Sequence, residues 1–94
     1  MGMEISVQSP GIDWGKITNA LAQFEPRGTL RMADGQLTFP DEEPASGWRE
    51  LRVALPAGMV TLRRTPQGVD LVTWGNISED LFVDRDRLAS LLAG

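Results

Sequence analysis

Between Thr29 and Trp74 apolar and polar residues alternate in short runs, and turn chemistry interrupts the runs at Asp34-Gly35, at Pro56-Ala57-Gly58 and at Pro66-Gln67-Gly68. Period-two runs bounded by such residues are strands joined by tight turns, and sequential strands joined this way pair antiparallel. The middle of the chain is therefore expected to be a meander.

Asp34-Gly35 suits a two-residue type I′ turn, which needs positive φ at both central positions. It pairs Met32 with Leu37 and Leu30 with Phe39 on one face, with Arg31 and Thr38 on the other. "PDEEPASG" follows as a polar loop. In "WRELRVALP", Leu51, Val53 and Leu55 share one face, and Trp48, Glu50, Arg52 and Ala54 share the other. An even-length turn at "PAGM" keeps Leu55 and Val53 with Val60 and Leu62. For "VTLRRTPQGVDLVTWGN", Pro66 excludes a type I′ turn at the first loop position. A three-residue loop with Gly68 left-handed pairs Thr65 with Val69, Arg64 with Asp70, Leu62 with Val72 and Val60 with Trp74. On that register Val69, Leu71 and Arg63 face away from the core.

The flanks read differently. Met3, Ile5 and Val7 alternate with Glu4, Ser6 and Gln8, a short half-buried strand. Asp13 is placed to N-cap a helix starting at Trp14, with Ile12 and Ile17 at the staple positions. Trp14, Ile17, Leu21 and Phe24 fall on one face of that helix, and Pro26 ends it. Near the C-terminus "DLFV" reads as a last short strand, with Asp84 capping a helix that turns Leu88, Leu91 and Leu92 inward. The rival is one continuous helix from Ser78, which places Asp84 and Arg85 within the apolar stripe.

The expected fold is α+β, a single domain over residues 1–94. It is an antiparallel β-meander of five to seven strands with an N-proximal helix and a C-terminal helix. In element order it resembles a pleckstrin-homology-like or a small helix-grip-like partial barrel, and no residue motif accompanies either likeness.

Composition bounds the chemistry. The 94 residues include no His, no Cys and no Tyr. Imidazole bases, thiol nucleophiles, disulfides and His or Cys metal sites are therefore absent. Lys16 is the one lysine. No Gly-rich phosphate loop is present. The expectation is no enzyme and no cofactor. Net charge is −4 and the sequence pI about 4.6, a field that opposes nucleic acid and anionic membranes. No apolar run approaches the ~20 residues of a membrane helix. "MGMEISVQSP" lacks the basic and apolar regions of a signal peptide, so the cytoplasm is the expected location.

Each remaining cluster has a plain reading. Asp41-Glu42-Glu43 lacks the ligand spacing and glycine of a calcium loop and reads as a solvated loop. Asp84 and Asp86 are explained by a helix start. Trp14 and Trp74 fall on core faces. Trp48 falls on a polar strand face, either as a contact residue or covered by a helix or the "PDEEPASG" loop. Phe24, Phe39 and Leu62 join Trp14 and Trp74 as residues that close the core or line a small ligand pocket. Arg31, Arg52 and Arg63 share the outer face, where like charges are unfavourable unless Glu50, Asp84, Asp86 or an acidic partner lies near. The candidate interaction face is thus Arg31, Trp48, Arg52, Arg63 and Leu71. The expected function is a small non-enzymatic interaction module that binds a protein partner or itself, as a homodimer through a sheet face or edge. The alternative is a small-ligand or anion-binding domain.

Overall fold

Asp34 and Gly35 have φ of 50° and 83°, and Met32 pairs with Leu37 across them, so the type I′ hairpin forms where the sequence places it. The computed structural model describes residues 2–39, 42–75 and 77–94. Asp41 of the acidic run, Asn76 and the side chain of Met3 lie outside the described residues. The elements are β1 (Gly2–Gln8), α1 (Trp14–Leu21), β2 (Thr29–Ala33), β3 (Gln36–Leu37), β4 (Glu50–Leu55), β5 (Gly58–Thr65), β6 (Gly68–Trp74) and α2 (Glu79–Ala93). The strands form one antiparallel sheet in the order β1-β6-β5-β4-β2-β3. β1 and β3 sit at opposite edges, so the sheet is open and the barrel alternatives do not hold.

Both helices cover one face. The core joins Ile17, Leu21 and Phe24 of α1 and its exit with Leu81, Leu88 and Leu92 of α2. From the sheet come Val7, Leu30, Leu51, Val53, Val60, Leu62, Val69 and Leu71. Each fully buried leucine contributes roughly 1.5–3 kcal/mol. Asp13 caps α1, accepting from the Lys16 backbone N–H at 2.9 Å, with Ile12 and Ile17 both buried beside the cap. Arg87 ties the helices together: its Nη2 donates to the Gln23 carbonyl at 2.8 Å and its guanidinium lies 4.9 Å from the Phe24 ring centroid.

Three expectations are corrected. First, α2 is continuous, with no strand at "DLFV". Ser78 is its N-cap, accepting from the Leu81 N–H at 3.1 Å, and Glu79 and Asp80 occupy the first turn. Asp84 is mid-helix and accepts from the Ala57 N–H in the β4–β5 turn at 3.0 Å. Arg85 is buried, folded over the Phe82 ring and held by Asp86 at 3.2 Å. Both charges in the stripe thus have partners, which removes the objection to the longer helix.

Second, the β5–β6 hairpin is one residue tighter than expected. Thr65 pairs with Gly68, Arg63 with Asp70, Leu62 with Leu71 and Thr61 with Val72. Thr65 Oγ1 accepts from the Gly68 N–H at 3.0 Å and closes a two-residue Pro66-Gln67 loop. The slip reverses every side chain of β6. Val69 and Leu71 are fully buried in the core, and Trp74 is 54% exposed. Gly68 serves close approach, since a Cβ there would overlap the backbone of Val7 in β1 and of Ser9 just beyond its end.

Third, a register shift between Leu30 and Met32 leaves Arg31 without a partner in β4. Leu30 turns inward while Met32 turns outward opposite Arg52. Phe39, expected beside Leu30 in the core, is 78% exposed.

Candidate functional site

The sheet face opposite the helices is open, and the ladder places its side chains in three rows. The middle row runs Glu4, Val72, Thr61, Arg52, Met32 and Leu37. The row toward the β5–β6 turn is Ser6, Asp70, Arg63 and Glu50. The row at the other end carries Met59, Ala54 and Thr29, and Trp74, one step beyond the last β5–β6 pair at Thr61 and Val72, lines a cleft with Met59. Glu4 and Asp70 lie on β1 and β6 and the two arginines on β5 and β4, with Glu50 on β4 between them.

Thr61 and Val72 at the centre are buried despite the absence of a covering helix. Trp74 lies across the face and its Nε1 donates to Thr61 Oγ1 at 3.4 Å. Trp74, Met59, Thr61 and Arg52 meet Ala57, Ile77, Ser78 and Leu81 around a shallow cleft of about 500 Å³. Arg63 Nε lies 3.6 Å from Glu50 Oε2, with both side chains nearly half exposed, so Glu50 supplies the local acid anticipated from sequence. Among the described residues, Glu4, Asp70 and Arg52 have no ion-pair partner.

Of the five residues predicted for this face, Arg52 and Arg63 are on it. Arg31 is exposed at the β2 bulge, and Met32 takes the outward place beside Arg52. Leu71 is on the opposite face, in the core, as a consequence of the tighter hairpin. Trp48 is 2% exposed. It precedes β4, so strand alternation does not extend back to it. Asp34 Oδ1 accepts from the backbone N–H groups of Arg49 and Glu50 at 2.8 and 2.9 Å, and Trp48 N–H donates to the Ala45 carbonyl at 3.0 Å. The chain thereby turns at the start of β4 and sends the indole inward beneath the Arg64 guanidinium, 4.1 Å from the ring centroid. The two donated hydrogen bonds, from Arg49 first and Glu50 second, hold the Asp34 carboxyl below its ordinary value of 3.8.

Trp74 and Met59 were missed as surface residues. Met59 follows from its inward neighbour Val60 in β5, and the signal that could have found Trp74 is Asp70. Once Asp70 is required to face water, Val72 and Trp74 must face the same way.

Two clefts bear on ligand binding. One, of about 440 Å³, lies between Gly11–Gly15 and Glu43–Trp48 and is bordered by Arg64. Asp13 and Glu43 also border it, and their carboxylates oppose an anion. The other, about 520 Å³, opens among Arg49, Arg63 and Arg64 with Glu50; the Arg64 Nε is buried without an acceptor among the described residues. Phe24 and Leu62 are core residues, whereas Phe39 and Trp74 are exposed, so the five apolar residues considered for a pocket do not enclose one. Among the described residues no three acidic side chains converge to hold a metal ion. No helix among them is long and apolar enough to cross a membrane.

Comparison with known proteins finds no matching family model, curated protein or solved structure.

Proposed function

We propose that the protein is a small non-enzymatic interaction module of the cytoplasm that binds protein, its own copies included, through the open sheet face. The observation that carries this reading is Trp74, 54% exposed and laid over Thr61 beside Met59, which is 40% exposed. An exposed tryptophan and methionine framed by arginine and carboxylate side chains have the composition of a contact patch. Hydroxyl-radical footprinting over a range of protein concentrations tests it. Trp74 and Met59 should become protected as concentration rises, while Val83, exposed on α2, keeps its reactivity. Equal reactivity at all concentrations would remove self-association from the reading.

Anion binding is the second reading, favoured by the convergence of Arg49, Arg63 and Arg64 around one cleft. Guanidinium groups that converge are suited to carboxylate or phosphate. Titration with inorganic phosphate at low salt, followed by the fluorescence of the nearby Trp48, tests it against Arg64→Ala.

A further inference from the structure

The open face is complementary to itself under one symmetry operation, and this deepens the self-association reading on which it rests. A two-fold axis parallel to the strands, midway between β5 and β6, exchanges β6 with β5 and β1 with β4 while keeping each row in place. In the middle row, Glu4 of one copy then stands over Arg52 of the other, and Val72 over Thr61. In the next row, Asp70 stands over Arg63. In the third, Trp74 stands over Met59. Acidic meets basic at Glu4–Arg52 and Asp70–Arg63 and apolar meets apolar at Trp74–Met59, while Val72 meets the Thr61 hydroxyl and Ser6 meets Glu50. Moving the axis half a strand spacing, onto β5, sets Arg52 over Val72 and Arg63 over itself, and moving it a full strand spacing sets Glu4 over Leu37 and Val72 over Met32.

We infer that the partner of this face is a second copy of the chain, packed sheet against sheet about that axis. The interface is isologous, as a two-fold requires, and Glu4, Asp70 and Arg52, which have no ion-pair partner among the described residues of the protomer, acquire them across it. Packed sheets lie about 10 Å apart with their strands rotated by about 30°. The pairs nearest the axis, Asp70 with Arg63 and Val72 with Thr61, are kept best by that rotation, and the outer Glu4–Arg52 pair relies on the reach of arginine. The central four strands present a patch of roughly 400 Å² per protomer at ordinary strand spacing. That is at the low end for a specific contact, so the dimer is expected to be weak and to form at high protein concentration.

The test uses Arg63→Asp and Asp70→Arg, made separately. Each variant alone places like charges at both symmetry-related contacts. Mixed together they restore opposite charges at both, because Asp at 63 meets Arg at 70 and Asp70 meets Arg63. Sedimentation equilibrium should show the wild-type chain dimerising, each variant alone at least tenfold weaker, and the equimolar mixture recovering dimer as a heterodimer. Circular dichroism establishes that both variants are folded, and Glu4→Arg with Arg52→Glu repeats the design on the outer pair. A wild-type dimer indifferent to both sets of reversals overturns the axis, as does weakening without recovery on mixing. In either case, continued footprint protection of Trp74 leaves the sheet-face reading standing. A wild-type chain that remains monomeric at the highest concentrations overturns the inference and the self-association reading together.

Discussion

Leu71 and Val72 are adjacent in β6 and both are buried, but on opposite faces of the sheet. Leu71 sits in the core beneath the helices, with Leu62 and Ile5 as its ladder neighbours. Val72 lies on the face without helices, between Glu4 and Thr61, with Asp70 and Trp74 in the adjoining rows. One residue is sealed by close-packed apolar side chains. The other is flanked by long polar and aromatic ones, the means by which an exposed face keeps its centre dry while its charged heads stay in water. The lesson concerns what each face tolerates. The covered face depends on volume and the open face on charge, so mutations should divide cleanly between stability and association.

The largest effect is expected on the covered face. Leu71→Ala removes a fully buried side chain and should cost about 2–5 kcal/mol, a large share of the ~5–15 kcal/mol that stabilises a domain. Urea unfolding with a fixed m-value measures it. A loss below about 1 kcal/mol would mean that Leu71 faces out and that the hairpin has the looser register.

Asp84→Ala is next. It leaves the Ala57 N–H without its acceptor and detaches the β4–β5 turn from α2. A charge-assisted bond of this kind contributes about 1.5–3 kcal/mol, so a loss of that order is expected. Asp84→Asn, which keeps an acceptor oxygen, should recover part of it. The same measurement on Glu79→Ala, exposed in the first turn of α2, should give a smaller loss, about 0.3–1 kcal/mol.

These residues also mark where the sequence was legible. The α+β class, the cap at Asp13, the Asp34-Gly35 turn and the inward set of β4 all follow from local chemistry, because each is decided by a pattern a few residues long. β6 is different. "VDLVTW" offers Val69 and Leu71 on one face and Val72 and Trp74 on the other, so periodicity does not choose between them. The choice comes from Thr65 Oγ1 closing the turn and from the approach of β1 to Gly68, and the latter is a contact far away in sequence. Trp48 was obscured for a related reason, since Asp34 turns the backbone there from 14 residues upstream. α2 was misdivided because the partner of Asp84 lies in another hairpin. Of the site, Arg52, Arg63 and Met59 were legible from β4 and β5, whereas Trp74 and Asp70 depended on the register of β6.

Asp34 offers a pH-dependent test of how Trp48 is assigned to the covered face. Its folded-state carboxyl titrates below the ordinary value of 3.8, so the ionised form is favoured by folding. The contribution is fully present above that value and is lost as pH falls through the lower, folded-state one. Asp34→Asn keeps an acceptor and tolerates the positive φ, but cannot titrate. The stability difference between wild type and variant should therefore shrink on acidification below pH 3.8. A difference constant across that range would show that the Arg49 and Glu50 amides do not depend on the charge.

The smallest effect on stability is expected where the open face is most charged. Leu51 and Arg52 are consecutive in β4 and point to opposite faces. Leu51→Glu would bury a carboxylate among apolar side chains and should prevent folding at neutral pH. Arg52→Glu changes a half-buried side chain that has no ion-pair partner among the described residues, and charge changes at such positions usually shift stability by less than about 0.5 kcal/mol. Its effect should fall on association instead, because the reversal removes an attractive partner for Glu4 and adds a repulsive one. Melting must be followed at low protein concentration, where dimer formation adds nothing to apparent stability. Under that condition the two curves should coincide, and sedimentation at high concentration should separate them. If Arg52→Glu lowered the melting temperature of the dilute protomer as Leu71→Ala does, the two faces would not differ in kind, and charge on the open face would have to be counted as part of the fold.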